Sequence, residues 1–115
     1  MAEAKNLPIY RATYEFVSKL VSWVENFPRI HRYTLGNKVI DNAAELFTYI
    51  QLANMYADKR AQYLMSFTVK LELTKTLLRL CFERKLLSPK QSADICRMTT
   101  NIGKQATGWR KARKA

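Results

Sequence analysis

Between Phe27 and Asn37 the chain reads FPRIHRYTLGN, and the way this stretch divides decides the fold. It holds a proline, two arginines, the only histidine, a tyrosine and a glycine, with an apolar run on either side. Proline pushes the residue before it out of the helical region. A helix arriving from the N-terminal side therefore stops at Pro28, and Thr34 offers a side-chain oxygen to cap a new one. The stretch reads first as a helix–helix corner; a catalytic loop or a nucleic-acid clamp are the other uses of such a density.

On the N-terminal side, the run from about Ile9 to Phe27 is amphipathic. Tyr10, Tyr14, Val17, Val21 and Val24 recur at helical spacing, with Phe16, Leu20, Trp23 and Phe27 beside them. From Thr34 to about Met55 the stripe is Leu35, Val39, Ala43, Leu46, Ile50 and Ala53, while Gly36 and Asn37 weaken its first turn. This second helix has another apolar edge, Ile40, Phe47 and Tyr49, which needs a further neighbour to cover it.

Asp58 is the expected N-cap of a third helix, Lys59 to about Leu86, lined by Leu64, Phe67, Leu71, Leu78 and Phe82, with Leu73, Leu77, Leu80 and Cys81 adjoining. The fourth start is the strongest local signal. In SPKQ, Ser88 caps, Pro89 takes the first helical position and Gln91 completes a capping box. Ile95, Met98, Ile102, Ala106 and Trp109 mark its buried face. Gly103 and Gly108 are interruptions or points of close helix approach.

Four helices of roughly twenty residues joined by short corners imply an all-α, up-down-up-down four-helix bundle. The 115 residues form one domain, 1–115, ending in a basic tail from about 110 to 115. With 48% hydrophobic residues and only three Gly and three Pro, the chain has what a compact core needs. No apolar run reaches the ~18 residues of a membrane helix, and MAEAKNLPIY lacks a signal-peptide core, so the expected setting is cytoplasmic. Cys81 and Cys96, both in apolar stretches, read as a reduced, buried pair.

Catalysis needs convergent groups, and the sequence offers few. There is one His, no Glu-x-x-His pair for a bundle metal site and no Gly-rich phosphate loop. Asp41 with Glu45, and Glu72 with Lys75, are ordinary surface spacings. The reading is a non-enzyme without cofactor or metal.

Charge points to binding. Twenty Lys and Arg against nine acids give +11, and the residues from Arg84 onward alone carry +8. A basic end on a soluble domain suits a polyanion such as nucleic acid; a solubilising tail is the alternative. At the corner, Arg29, His31 and Arg32 project together, with Lys38 one turn into the next helix. Tyr33 either stacks on a base or packs under the corner. Lys59 and Arg60 stand at a helix start, where the dipole disfavours cations, which raises their interest as partner contacts. Arg97, Lys104, Arg110, Lys111, Arg113 and Lys114 form a second candidate patch. Trp109 both closes an apolar face and opens the basic tail.

In order along the chain, FPRIHRYTLGN, ELFTYIQLANMYADKRAQYL, LLRLCFERKLLSPKQ and IGKQATGW resemble the Avd accessory proteins of bacterial diversity-generating retroelements. The likeness runs from the first helix through Trp109. One departure is Thr107–Gly108, where the family pattern has a small-residue pair such as Gly-Gly before the Trp. The same bundle family includes proteins encoded within intervening sequences of 23S ribosomal RNA genes. The resemblance implies a ring-like homopentamer of bundles with a positive surface. It also implies binding to the element's reverse transcriptase and its template RNA, possibly with the cDNA, in support of mutagenic cDNA synthesis. On that reading the corner and C-terminal cations are the contacts. The rivals are an RNA-binding bundle of the intervening-sequence type and a purely structural interaction protein.

Overall fold

A computed structural model of the protein describes residues 3–112. Four long helices account for the bundle. After a short 3₁₀ turn (Ala4–Asn6), α1 spans Pro8–Val24. Helix α2, residues 29–55, is a composite of a helical turn (Arg29–His31), a π-helical segment (Arg32–Gly36) and a long α-helical part (Asn37–Met55). Helix α3 is Arg60–Glu83 and α4 is Pro89–Lys111. Each helix packs on the next and α1 also packs on α4, closing a four-cornered bundle about 50 Å long and 23 by 21 Å across. The described residues contain no strand. No helix among them is long and apolar enough to cross a membrane.

The first corner differs from the expectation. Thr34 does not cap a helix: α2 already begins at Arg29, behind Pro28 in extended conformation, and Thr34 Oγ1 donates to the Ile30 carbonyl at 2.7 Å. The corner proper is thus only residues 25–28. From Arg29 onward the chain is helical with one residue too many, absorbed as the π-helical segment. Asp58 is likewise no N-cap. It sits in a 3₁₀ turn, Ala57–Lys59, and α3 starts at Arg60 without a side-chain cap. Ser88 behaves as expected: the Gln91 N–H donates to Ser88 Oγ at 3.0 Å, and the Ser88 N–H donates to Gln91 Oε1 at 2.8 Å.

The core stripes of α2 and α4 are those expected, with Val39, Ala43, Leu46, Ile50, Ala53, Ile95, Met98, Ile102 and Ala106 buried. Trp109 is only half-buried. In α1 the register shifts. Ile9, Thr13, Phe16, Leu20 and Val24 face the core, whereas Tyr14 is 61% exposed and Val21 also faces outward. Tyr10 and Tyr14 instead flank α2, their rings 5.2 and 6.3 Å from that of Phe47. The second edge of α2 is thereby partly covered from within the bundle. In α3, Leu64, Phe67, Leu71, Thr74, Leu78 and Cys81 are buried, while Leu73, Leu80 and Phe82 are exposed.

The cysteines are not a buried pair. Cys81 is in the core and Cys96 is exposed. Burial pushes the Cys81 thiol from 9.0 up to about 11, against a smaller opposing effect of Arg84. Folding thus favours the neutral thiol, a contribution intact below pH 9 and lost as the pH rises toward 11. At pH 8 a thiol reagent is expected to label Cys96 alone in the native protein, with Cys81 reacting only on unfolding. Two fast thiols would contradict this placement of Cys81.

Candidate nucleic-acid interface

The up-down course of the helices sorts the cations between two ends. The corners at 25–28 and 84–88 share one end, and the corner at 56–59 lies with the start of α1 and the finish of α4 at the other. Arg29, His31 and Arg32 therefore share an end with Arg84 and Lys85. Lys59, Arg60, Arg110 and Lys111 gather at the opposite end. Arg113 and Lys114 lie outside the described residues. Lys38 is exposed but well inside α2, about two and a half turns from its start rather than one.

At the first end Arg29 is exposed and His31 half-buried. Arg32 turns inward: its Nη2 donates to the Phe27 carbonyl at 3.4 Å, and its Nε is buried without a hydrogen-bond partner in the protein. Its guanidinium also lies 5.9 Å from the ring centre of Tyr33, which is 60% exposed and so does not pack under the corner. Ile30, which no sequence pattern singles out, is the most exposed large apolar residue here at 72%. The segment thus exposes Arg29, Ile30 and Tyr33 together, with His31 and Arg32 half-buried between them.

Arg60 repeats the device of Arg32. Its Nε donates to the Ala53 carbonyl at 2.9 Å, and its guanidinium stands 5.1 Å over the Trp109 ring. Both arginines donate to a backbone carbonyl behind them, Arg32 to Phe27 within the corner and Arg60 to Ala53 in the last turn of α2. At that C-terminal end the dipole favours a cation. The unfavourable position of a cation at the start of α3 is therefore resolved by the neighbouring helix, and Arg60 ties α2, α3 and α4 together.

Between the ends runs a feature that counting charges by segment misses. Lys90, Arg97, Lys104 and Lys111 are seven residues apart and all exposed on α4. Seven residues fall about 20° short of two full helical turns, so the four cations share one face. They form a ridge roughly 31 Å long at 1.5 Å per residue. Only Arg97 has an ion-pair partner among the described residues, Asp94 at 3.3 Å, and such an exposed pair contributes little. The cations of α3 differ: Lys70 pairs with Glu45, Lys75 with Glu72 and Arg79 with Glu83, at 3.1, 3.2 and 3.2 Å. Among the described residues, cations without an ion-pair partner thus include three of the four on the α4 ridge and several at the two ends, besides Lys19 on α1 and Lys38 on α2.

Among the described residues no cluster of His, Cys, Asp and Glu has the makings of a metal site. The fold and its surface define an all-helical bundle with a row of exposed cations along α4. The chain belongs to the bAvd-like family, whose profile matches residues 7–113. It is thus an Avd-type accessory protein in family, as the ordered motifs imply. No curated protein and no solved structure gives a significant match.

Proposed function

We propose that this protein is the non-catalytic accessory subunit of a diversity-generating retroelement. In this role it works in the cytoplasm, holds the reverse transcriptase and template RNA together and supports mutagenic cDNA synthesis. The family match over residues 7–113 carries the reading. The α4 ridge and the two basic ends suit a phosphate backbone, which supplies affinity without sequence information. The enzyme is the second partner, and the exposed Ile30 and Tyr33 among Arg29 and Arg32 suit a protein contact with an acidic rim.

Self-association into a ring of five belongs to the same proposal. Met65, Val69, Leu73 and Leu80 leave an exposed apolar line on α3, and Tyr14 with Val21 leave another on α1. Two unlike apolar faces on different helices favour head-to-tail contacts, which close into rings, over a twofold dimer.

The test is light scattering of nuclease-treated protein in high salt, followed by co-purification with the element's reverse transcriptase and its template RNA. A mass about five times the 13.4 kDa chain and a salt-sensitive ternary complex are expected. A monomer that captures neither partner would sink the proposal.

A further inference from the structure

Trp109 divides two cavities at the end of the bundle where α1 begins and α4 finishes. The first, about 470 Å³, is lined by Asp58, Arg60, Trp109 and Arg110 among small residues. The second, also about 470 Å³, is lined by Leu7, Pro8, Ile9, Gln105, Gly108 and Trp109. One is charged and the other almost wholly apolar, and both lie in the size range of small-ligand sites. Gly108 lines the apolar slot, and a Cβ built there would meet no atom within 4 Å, so a larger side chain has room to extend from it.

Resting on the RNA-binding reading above, we propose that these two cavities form a subsite for a single nucleotide. The base enters the apolar slot against Trp109, and the phosphate is held by Arg60 and Arg110. Arg60 is held in place for this task. Its Nε is fixed on the Ala53 carbonyl and its guanidinium carbon lies 5.1 Å from the indole centre, so the group is already placed beside the indole to meet an oxyanion. No ion pair to Arg60 or Arg110 occurs among the described residues. An indole face with adjacent cations is the combination that single-stranded nucleic acid uses, stacking for the base and charge for the backbone. Gln105 and Asp58 are the polar groups within reach of a base edge or a sugar hydroxyl. The purely architectural reading, in which Arg60 only clasps α2 to α4, gives no reason for an open apolar slot on the other side of the indole.

The intact protein carrying Trp23→Phe leaves Trp109 as the single fluorescent indole. Titration with adenosine 5′-monophosphate is expected to change its emission saturably, and adenosine or inorganic phosphate alone should act more weakly. Arg60→Ala should weaken the response about tenfold or more, as loss of a charge-assisted contact does. Because Arg60 also clasps helices, Gly108→Leu is the second variant. It fills the slot from an open position and should abolish the response while helical content stays constant. In parallel, anisotropy of a dye-labelled single-stranded RNA reports binding along α4. RNA binding with a silent Trp109 would overturn the subsite and leave the RNA reading standing. A nucleotide response without RNA binding would support the subsite and overturn the RNA reading. A signal from Trp109 that only reverse transcriptase elicits, or one that survives Gly108→Leu, would also overturn the subsite.

Discussion

Replacing Lys90, Arg97, Lys104 and Lys111 together by glutamine is expected to weaken RNA binding by more than about a hundredfold and to flatten its salt dependence. Four phosphate contacts on a single strand contribute a slope of about −2.8 in log affinity against log salt, or about fiftyfold between roughly 50 and 200 mM. The quadruple variant should lose that part of the slope. Its fold should be unaffected, because all four positions are exposed and glutamine has nearly the helix propensity of lysine and arginine. The control removes charge elsewhere. Lys75 and Arg79 already face Glu72 and Glu83, so Lys75→Gln with Arg79→Gln should change RNA affinity by no more than a few-fold. If filter binding across a salt series shows the α3 pair weighing as heavily per charge as the α4 row, the ridge has no privileged role. Binding would then follow from net charge alone.

How much of the fold and site is legible in the sequence depends on how local each signal is. Ser88, Pro89 and Gln91 settle a helix start within four consecutive residues, so the capping box in the structure follows directly from the sequence. The stripes of α2 and α4 are equally plain because their apolar residues recur at three- and four-residue steps along one face, and the second edge of α2 lies beside its stripe without displacing it. Helix α1 has two registers, one residue apart. The bulkier line through Tyr10, Tyr14, Val17 and Val21 looks stronger than Ile9, Thr13, Phe16 and Leu20. The choice is made by Phe47, which receives the tyrosine rings from a different helix. Periodicity within α1 contains no trace of that partner. Arg60 looks misplaced in the sequence for the same reason: its two contacts, the Ala53 carbonyl and the Trp109 ring, lie on the helices before and after its own. The α4 ridge is a different case. Its seven-residue spacing is present in the sequence, and projecting the charges onto a helix is enough to reveal it.

Substituting alanine for Gly36 should lower stability by about 1–2 kcal/mol, although alanine is the better helix former by about 1 kcal/mol. Gly36 closes the π-helical segment of α2 and is buried where that helix crosses the end of α1. Its φ of −59° is ordinary, so no backbone freedom is at stake. Space is. A Cβ would sit 2.7 Å from Val24 Cγ1 and 3.1 Å from the His31 carbonyl oxygen, with Phe27 Cδ2 at 3.6 Å. Val24 and Phe27 are core residues, and a β-branched side chain has little rotamer freedom with which to yield. The His31 oxygen is backbone and can move only with the helix. Overpacking of this kind costs about 1–3 kcal/mol, which exceeds the gain in propensity. A fall in melting temperature of several degrees is expected, roughly 4 °C or more per kcal/mol for a domain of this size. Gly108→Ala is the matched opposite: the same propensity gain with no neighbour to strike should raise the melting temperature. If Gly36→Ala proved as stabilising as Gly108→Ala in calorimetry, Val24 would have to yield freely. The first corner would then owe its shape to Pro28 and the π-helical segment, not to the glycine that lets the two helices touch.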